Sequence, residues 1–208
     1  MAEFTFFTNP MSRGQIARWA LHEAGADYEQ VLVPWDDRPA AFLKANPMGK
    51  VPTIVHHQNG EDRVVTEAAA ICAYLAETHP AADLLPTADE RADYLRWLFF
   101  ASGPVESAIV SSSLGFEPKP DQQMMAGWHS FDRTMDTLEN HLANVDFVCG
   151  DRFTMADVYV GSQVDWGINF GTIPPREAFV AYAQRLQARD AYKAAKAIDN
   201  KLIEEAKK

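Results

Sequence analysis

Two stretches carry the residues best suited to hold a small ligand: Asn46-Pro47-Met48-Gly49-Lys50-Val51-Pro52-Thr53-Ile54-Val55 and Thr66-Glu67-Ala68-Ala69-Ala70-Ile71. Pro52 stands at the mouth of an apolar run. A proline cannot donate to a β-ladder, so it belongs at the first residue of an edge strand or in a turn. An X–Pro bond is also the one place where a cis peptide is cheap. A cis bond is therefore expected at Val51–Pro52, with Val51 offering its N–H and C=O as a short bare strand edge. Further on, Thr66-Glu67-Ala68 opens an alanine-rich helix whose first N–H groups attract an anion. A peptide backbone paired with Val51 and a carboxylate on the helix start together describe a site for a small acidic peptide.

Other chemistries find little support. Cys72 and Cys149 are far apart and make neither a disulfide framework nor a metal pair. Cys72 falls on the apolar face of the Glu67–Glu77 helix and reads as a buried thiol. The six histidines include His56-His57, but no His-x-x-x-His pair or carboxylate cluster, so no metal site is expected. His56-His57 alternates at a strand end, so at most one of the two faces inward. The absence of a glycine-rich phosphate loop argues against a nucleotide cofactor. The formal net charge of −10 and the lack of a basic face argue against nucleic acid. No run reaches the roughly 20 apolar residues of a membrane span. Met1–Phe6 has no basic n-region, so no signal peptide is read there and a cytoplasmic location is expected.

The residues that compose the candidate site resemble those of the cytosolic glutathione transferase family, in its serine-type, bacterial-like form. Pro47-Met48-Gly49-Lys50-Val51-Pro52 is similar to its cis-proline loop. Thr66-Glu67-Ala68-Ala69-Ala70-Ile71 is similar to its glutamate-serine-x-alanine-isoleucine motif, with Ala68 where many members have serine. The backbone N–H at Ala68 survives that departure, but a hydroxyl contact to the ligand carboxylate is lost. Phe153-Thr154-Met155-Ala156-Asp157-Val158 resembles the capping box and hydrophobic staple of the family's helical domain, a folding element in which Asp157 is structural.

The resemblance implies glutathione chemistry, which needs a thiolate near neutral pH although free thiols titrate near about 8.5. A hydroxyl donor and a helix N-terminus aimed at the sulfur supply the stabilisation. Ser12 follows the first strand and starts the first helix. Pro10-Met11-Ser12, with Arg18 further on, looks like the serine-type members in which a serine here donates to the sulfur. Asn9 is the alternative thiol contact, since some bacterial relatives reduce disulfides with bound glutathione through an amide or threonine near this point. Left to themselves, Ser12 reads as a helix cap and Asn9 as a turn residue. By resemblance, Glu67 accepts the γ-glutamyl ammonium and Lys50 reaches a ligand carboxylate. Val51, Pro52 and Ala68 complete the glutathione-binding set. Trp35, Arg38 and Lys44 all remain open as contacts for the glycyl carboxylate.

These residues need a frame. Phe4–Thr8 reads as a strand and is broken by Asn9-Pro10-Met11. Ser12-Arg13-Gly14-Gln15 has the form of a capping box, followed by Ile16, Trp19, Ala20 and Ala24 at helical spacing and a stop at Gly25. Glu29–Val33 is a second strand, and Ala40–Ala45 a short helix after the loop Trp35–Pro39. Val51–His56 and Arg63–Thr66 are strands around Asn59-Gly60, a hairpin signal with a loop longer than the ideal two residues. Glu67–Glu77 closes the unit. The order βαβ then ββα is thioredoxin-like. Beyond the linker His79–Pro86 only helices appear: Glu90–Ser113, Pro120–Asn144, Thr154–Phe170, Arg176–Arg189 and Ala191–Lys207. The fold class is thus α/β plus all-α, with a thioredoxin-like glutathione-binding domain at 1–79 and an all-helical domain at 87–208.

The expected activity is conjugation of the glutathione thiolate to a small hydrophobic electrophile, in a detoxifying role. The alternatives are a glutathione-dependent peroxidase or disulfide reductase, and a non-catalytic, ligandin-like binder of glutathione. Glutathione enters as co-substrate and no cofactor is required. The electrophile pocket is expected between the domains, with Met11, Trp97, Phe99 and Phe100 as candidates, although aromatics at this spacing are more often core. A homodimer is expected, with Glu106 near the partner's γ-glutamyl site. No nucleic acid or membrane partner is expected.

Overall fold

The computed structural model describes residues 2–207; the ends of the expected domain ranges, Met1 and Lys208, lie outside the described residues. The chain divides into two compact units. One runs to Leu85 and takes in the segment from Ala188 on; the other is Pro86–Gln187.

The first unit is built on a four-stranded mixed sheet of order β2-β1-β3-β4, comprising β1 (Phe4–Thr8), β2 (Tyr28–Leu32), β3 (Thr53–Gln58) and β4 (Glu61–Thr66). β1 and β2 are parallel and joined through α1 (Gly14–Ala24), while β3 runs antiparallel to both β1 and β4. A short helix α2 (Ala40–Ala45) precedes β3, and α3 (Ala68–Thr78) follows β4. This is the expected thioredoxin-like arrangement. The β3–β4 turn is tighter than the sequence suggested. Gln58 pairs with Glu61, and the two residues between them, Asn59 and Gly60, both have positive φ (54° and 79°). That is the backbone a two-residue type I′ turn demands, and it matches the right-handed twist of the strands. A cluster of Phe7, Val33, Phe42 and Val55, with Val31, Ala45 and Val51 against it, forms a core beside α2. On the other side Ile16, Trp19, Ala20, Ile71, Cys72 and Leu75 are buried. Burial pushes the Cys72 thiol far above its ordinary range, which makes it an inert filler. Of the histidine pair, His56 is buried against Tyr74 and His57 faces Asp62 at the surface.

The last helix, α9 (Asp190–Glu205), belongs by contact to this first unit rather than to the helical segment before it. Polar ties and an aromatic contact join it to α1. Arg189 forms a two-pronged pair with Glu23 at 2.6 and 2.7 Å, and Trp19 Nε1 donates to the same carboxylate at 2.8 Å. Lys196 Nζ donates to Gln15 Oε1 at 2.7 Å. Arg18 Nε donates to Asp199 Oδ1 at 2.9 Å, with both side chains fully buried. Trp19 and Tyr192 meet edge to face at 5.1 Å. The Arg18 guanidinium also lies over Phe6 and Tyr28, which offsets part of the cost of burying it.

The second unit is helical: α4 (Arg91–Phe100), α5 (Glu106–Ser113), α6 (Phe131–Leu142), α7 (Met155–Asn169) and α8 (Glu177–Gln187). Two sequence readings need correction. The long helix expected over Glu90–Ser113 is interrupted by a π-helical turn, Ala101–Val105, because Pro104 removes a backbone donor and its ring cannot sit in a regular turn. The helix expected over Pro120–Asn144 begins only at Phe131, where Ser130 caps it by accepting from Arg133 N. Gly127 and the prolines at 118 and 120 leave the preceding segment as turns. α7 is almost wholly buried and starts at the expected capping box. Asp157 there accepts from Thr154 N (2.8 Å), Thr154 Oγ1 (3.1 Å), Val148 N (2.6 Å) and Tyr182 Oη (2.8 Å). Its burial raises the carboxyl pKa to about 6. Among the described residues, no helix is long and apolar enough to cross a membrane.

Candidate glutathione site

Strand register gathers the site. Phe7 pairs with Thr53, and Thr53 with Thr66. Adjacent strands lie about 4.8 Å apart. The loop after β1, the entry to β3 and the exit from β4 therefore meet at one end of the sheet. That end carries Asn9 and Ser12, Lys50 to Pro52, and Glu67 with Ala68.

Asn46 shapes the middle loop. It is buried, and its Nδ2 donates to Lys50 O (2.8 Å) and to Thr53 Oγ1 (3.1 Å), while its Oδ1 accepts from Met48 N (3.1 Å). Thr53 Oγ1 donates to the same Lys50 carbonyl. Gly49 completes the turn at φ 65°, a conformation that only glycine adopts without strain. The Val51–Pro52 bond is cis. The Val51 side chain packs on the Phe7–Phe42 core, whereas among the described residues its N–H and C=O make no hydrogen bond. Lys50 is exposed beside this edge. A Cβ placed on Gly49 would sit 2.6 Å from Arg38 Nη1, so the Arg38 guanidinium lies against the loop. Of Trp35, Arg38 and Lys44, which the sequence left open, Arg38 lies against this loop.

Glu67 caps α3 with φ 64° and ψ 117°, a left-handed conformation for a residue with a Cβ. Such a conformation costs on the order of 1–3 kcal/mol and persists where the surroundings impose it. Ile71 N donates to Glu67 O, so the N–H groups of Ala68, Ala69 and Ala70 precede the first intrahelical bond. They form an anion-attracting helix start, and the exposed Glu67 carboxylate stands beside it. One position thus offers an acceptor for an ammonium and donors for a carboxylate.

The β1–α1 loop is folded on itself. Ser12 Oγ donates to Asn9 O at 2.6 Å and accepts from Gly14 N at 2.9 Å. The expected capping box is absent. Gln15 Nε2 turns instead to Pro10 O at 2.6 Å, and the helix begins at Gly14 after Arg13. The Asn9 side chain is used at both ends, with Nδ2 donating to Val33 O (3.0 Å) and Oδ1 accepting from Met11 N (2.9 Å). Asn9 ties the loop to the end of β2. Ser12 is half-buried and its hydroxyl rotates on a single bond.

This end of the sheet therefore presents a bare peptide edge, two cations, one carboxylate and a helix N-terminus, the set needed to grip a zwitterionic peptide. Comparison with known proteins gives the same answer. The Glutathione S-transferase N-terminal domain model matches residues 11–78, and the C-terminal domain model matches 121–166. A zeta-class glutathione S-transferase of Euphorbia esula is 30% identical over 156 residues, covering 71% of this chain and 68% of the relative. The chain belongs to the glutathione S-transferase family.

Solved structures of the family superpose over nearly its whole length. A glutathione transferase from Methylococcus capsulatus, 28% identical, covers 95% of this chain and 98% of its own with a TM-score of 0.76. A sphingomonad glutathione S-transferase complexed with glutathione, 29% identical, covers 94% and 98% with a TM-score of 0.74. Some relatives are longer: the chain spans 62% of a glutathione S-transferase of Emericella nidulans.

The remaining candidates of this family member are placed as follows. Trp97 is fully buried and stacked on His141 at 4.0 Å, so it is core and not pocket. Phe99 and Met11 are exposed. The Glu106 carboxylate accepts from Gln163 Nε2 at 2.8 Å. Among the described residues no group of three His, Cys, Asp or Glu is placed to hold a metal ion. Asn46, Gly49 and Gln15 were missed as site-shaping residues. Asn46 directly before Pro47 and a glycine before Lys50 were the only signals in the sequence for the first two.

Proposed function

We propose that this glutathione S-transferase conjugates the glutathione thiolate to a small hydrophobic electrophile. The observation that carries the reading is Glu67, held at positive φ at the start of α3 beside the unpaired Val51 edge. In this reading the Val51 N–H and C=O pair with the cysteinyl backbone of glutathione. The Glu67 carboxylate takes the γ-glutamyl ammonium, and the N–H groups from Ala68 on take the γ-glutamyl carboxylate. Lys50 and Arg38 meet the glycyl carboxylate.

Ser12 turns its hydroxyl from Asn9 O to the sulfur and stabilises the thiolate, which then attacks the electrophile. In this reading Asn9 braces the loop to β2, with one amide N–H on Val33 O and its oxygen taking Met11 N, and Ser12 is the sulfur contact. No cofactor enters this scheme. A homodimer working in the cytoplasm and clearing reactive electrophiles is part of the proposal. Retention on immobilised glutathione, followed by turnover of a panel of electrophiles, peroxides and mixed disulfides, tests it. Retention with electrophile turnover is expected. Turnover of peroxides or mixed disulfides alone would replace conjugation by reduction, and retention with no turnover would make the chain a binder.

A further inference from the structure

We propose that Lys196 and Gln15 form a positioning relay from α9 to the loop that carries Ser12, so that the C-terminal helix sets the geometry of the thiolate-stabilising hydroxyl. The inference rests on the reading of Ser12 given above. Lys196 Nζ donates to Gln15 Oε1 at 2.7 Å, and Gln15 Nε2 donates to Pro10 O at 2.6 Å. The amide has only one way round here. An ammonium offers donors alone and a carbonyl accepts alone, so Lys196 fixes the oxygen on its own side and the NH2 toward Pro10. The next link is the loop itself, where Ser12 Oγ donates to Asn9 O and accepts from Gly14 N. Pinning the Pro10 carbonyl fixes the peptide between that Asn9 carbonyl and Ser12, and hence where the hydroxyl sits.

Docking of α9 does not rest on Lys196 alone, although its charge also favours the ionised Asp199 carboxylate. α9 is already held on α1 by the Arg189–Glu23 pair, the buried Arg18–Asp199 pair and the Trp19–Tyr192 contact. The Lys196 ammonium also lies 5.4 Å from the centroid of the Tyr192 ring, which restrains its long side chain before it reaches Gln15. The positions on α1 and α9 are 181 residues apart, so the last helix reports on the first loop only through the folded chain.

The test separates the two links. Gln15→Glu keeps an acceptor for Lys196, and keeps α9 docked, but cannot donate to Pro10 O. Lys196→Met removes the first link, and Lys196→Arg restores a donor to Gln15. The readout is the pKa of the thiol of bound glutathione from its thiolate absorbance, with KM for glutathione and thermal unfolding measured alongside. Gln15→Glu and Lys196→Met should raise the bound-thiol pKa by about 0.5–1 unit and lower kcat/KM near neutral pH about three- to tenfold. KM for glutathione and the unfolding temperature of Gln15→Glu should stay at the wild-type values, and Lys196→Arg should return the titration to wild type. Ser12→Ala run in parallel tells the two readings apart. If Ser12→Ala moves the titration and Gln15→Glu does not, the relay is refuted. If Gln15→Glu moves it and Ser12→Ala does not, the new charge acts without the serine hydroxyl, and the relay to Ser12 is refuted. If neither moves it, both are wrong.

Discussion

Replacing Ser12 by alanine probes the proposed chemistry most directly, and the structure limits how large the effect can be. In the unliganded site the hydroxyl already donates to Asn9 O at 2.6 Å. Donation to a thiolate must break that bond. A hydrogen bond to a charged acceptor contributes about 1.5–3 kcal/mol and a neutral one about 0.5–1.5 kcal/mol. The net stabilisation of the thiolate is their difference, about 1–1.5 kcal/mol, or roughly one pKa unit at about 1.36 kcal/mol each. Ser12→Ala should therefore raise the bound-thiol pKa by about one unit. It should lower kcat/KM about tenfold at pH values below that pKa, with the loss vanishing once the solution is alkaline enough to ionise the thiol in both proteins. The substitution also removes the acceptor for Gly14 N and the donor to Asn9 O, a stability cost of about 1–3 kcal/mol. The two effects separate in the assay. Thiolate absorbance of bound glutathione against pH reports the first, and denaturant unfolding without ligand reports the second. A titration that superimposes on wild type, with activity lost equally at every pH, would refute thiolate stabilisation by Ser12. It would leave the residue as a loop brace.

Two further outcomes follow from strained and buried groups. Glu67→Gly should relieve the positive-φ strain and raise unfolding stability by about 1 kcal/mol, while abolishing retention on immobilised glutathione; a variant that is retained as well as wild type would sink the assigned role of the carboxylate. Asp157 has a folded pKa of about 6 against an ordinary 3.8. The folded state therefore binds that proton more tightly, and the group's contribution is fullest below pH 3.8 and lost as pH rises through 6. Asp157→Asn should flatten that slope between pH 4 and 6, and should also destabilise by about 2–6 kcal/mol, because an amide nitrogen meets donors the second oxygen accepted. Chemical denaturation across that pH range measures both, and an unchanged slope would contradict the raised pKa.

The thioredoxin-like unit was legible because its signals are local. Phe4–Thr8, Asn59-Gly60 and Thr66-Glu67 each announce an element within a few residues, and strand order then follows from their succession. Even there the turn was drawn too wide. Glu61 and Asp62 look like loop residues in sequence, yet they pair with Gln58 and His57 on β3. The binding loop was legible from Pro52, but its organiser was not. Asn46 reads as a helix terminator before a proline, and only the fold brings Lys50 O and Thr53 Oγ1 to its amide. Helical periodicity was too generous over 120–130, where prolines and Gly127 outweighed the scattered apolar residues.

α9 shows where such reading stops in principle. Periodicity says which face of a helix is apolar; it does not say which surface receives that face. α9 offered little even of that, since Ala195 and Asp199 are its only buried residues among those described. Arg18 and Asp199 each look like surface charges in their own neighbourhoods, and each is buried only because the other is there. Removing one partner would strand the other in a low-dielectric site at a cost of about 3–5 kcal/mol. The pair thus commits the end of the chain to its beginning, and Lys196, on the same helix, is brought to Gln15 by that commitment. A feature whose two halves are uninformative apart has no local signature, and the link between the C-terminal helix and the Ser12 loop is of that kind.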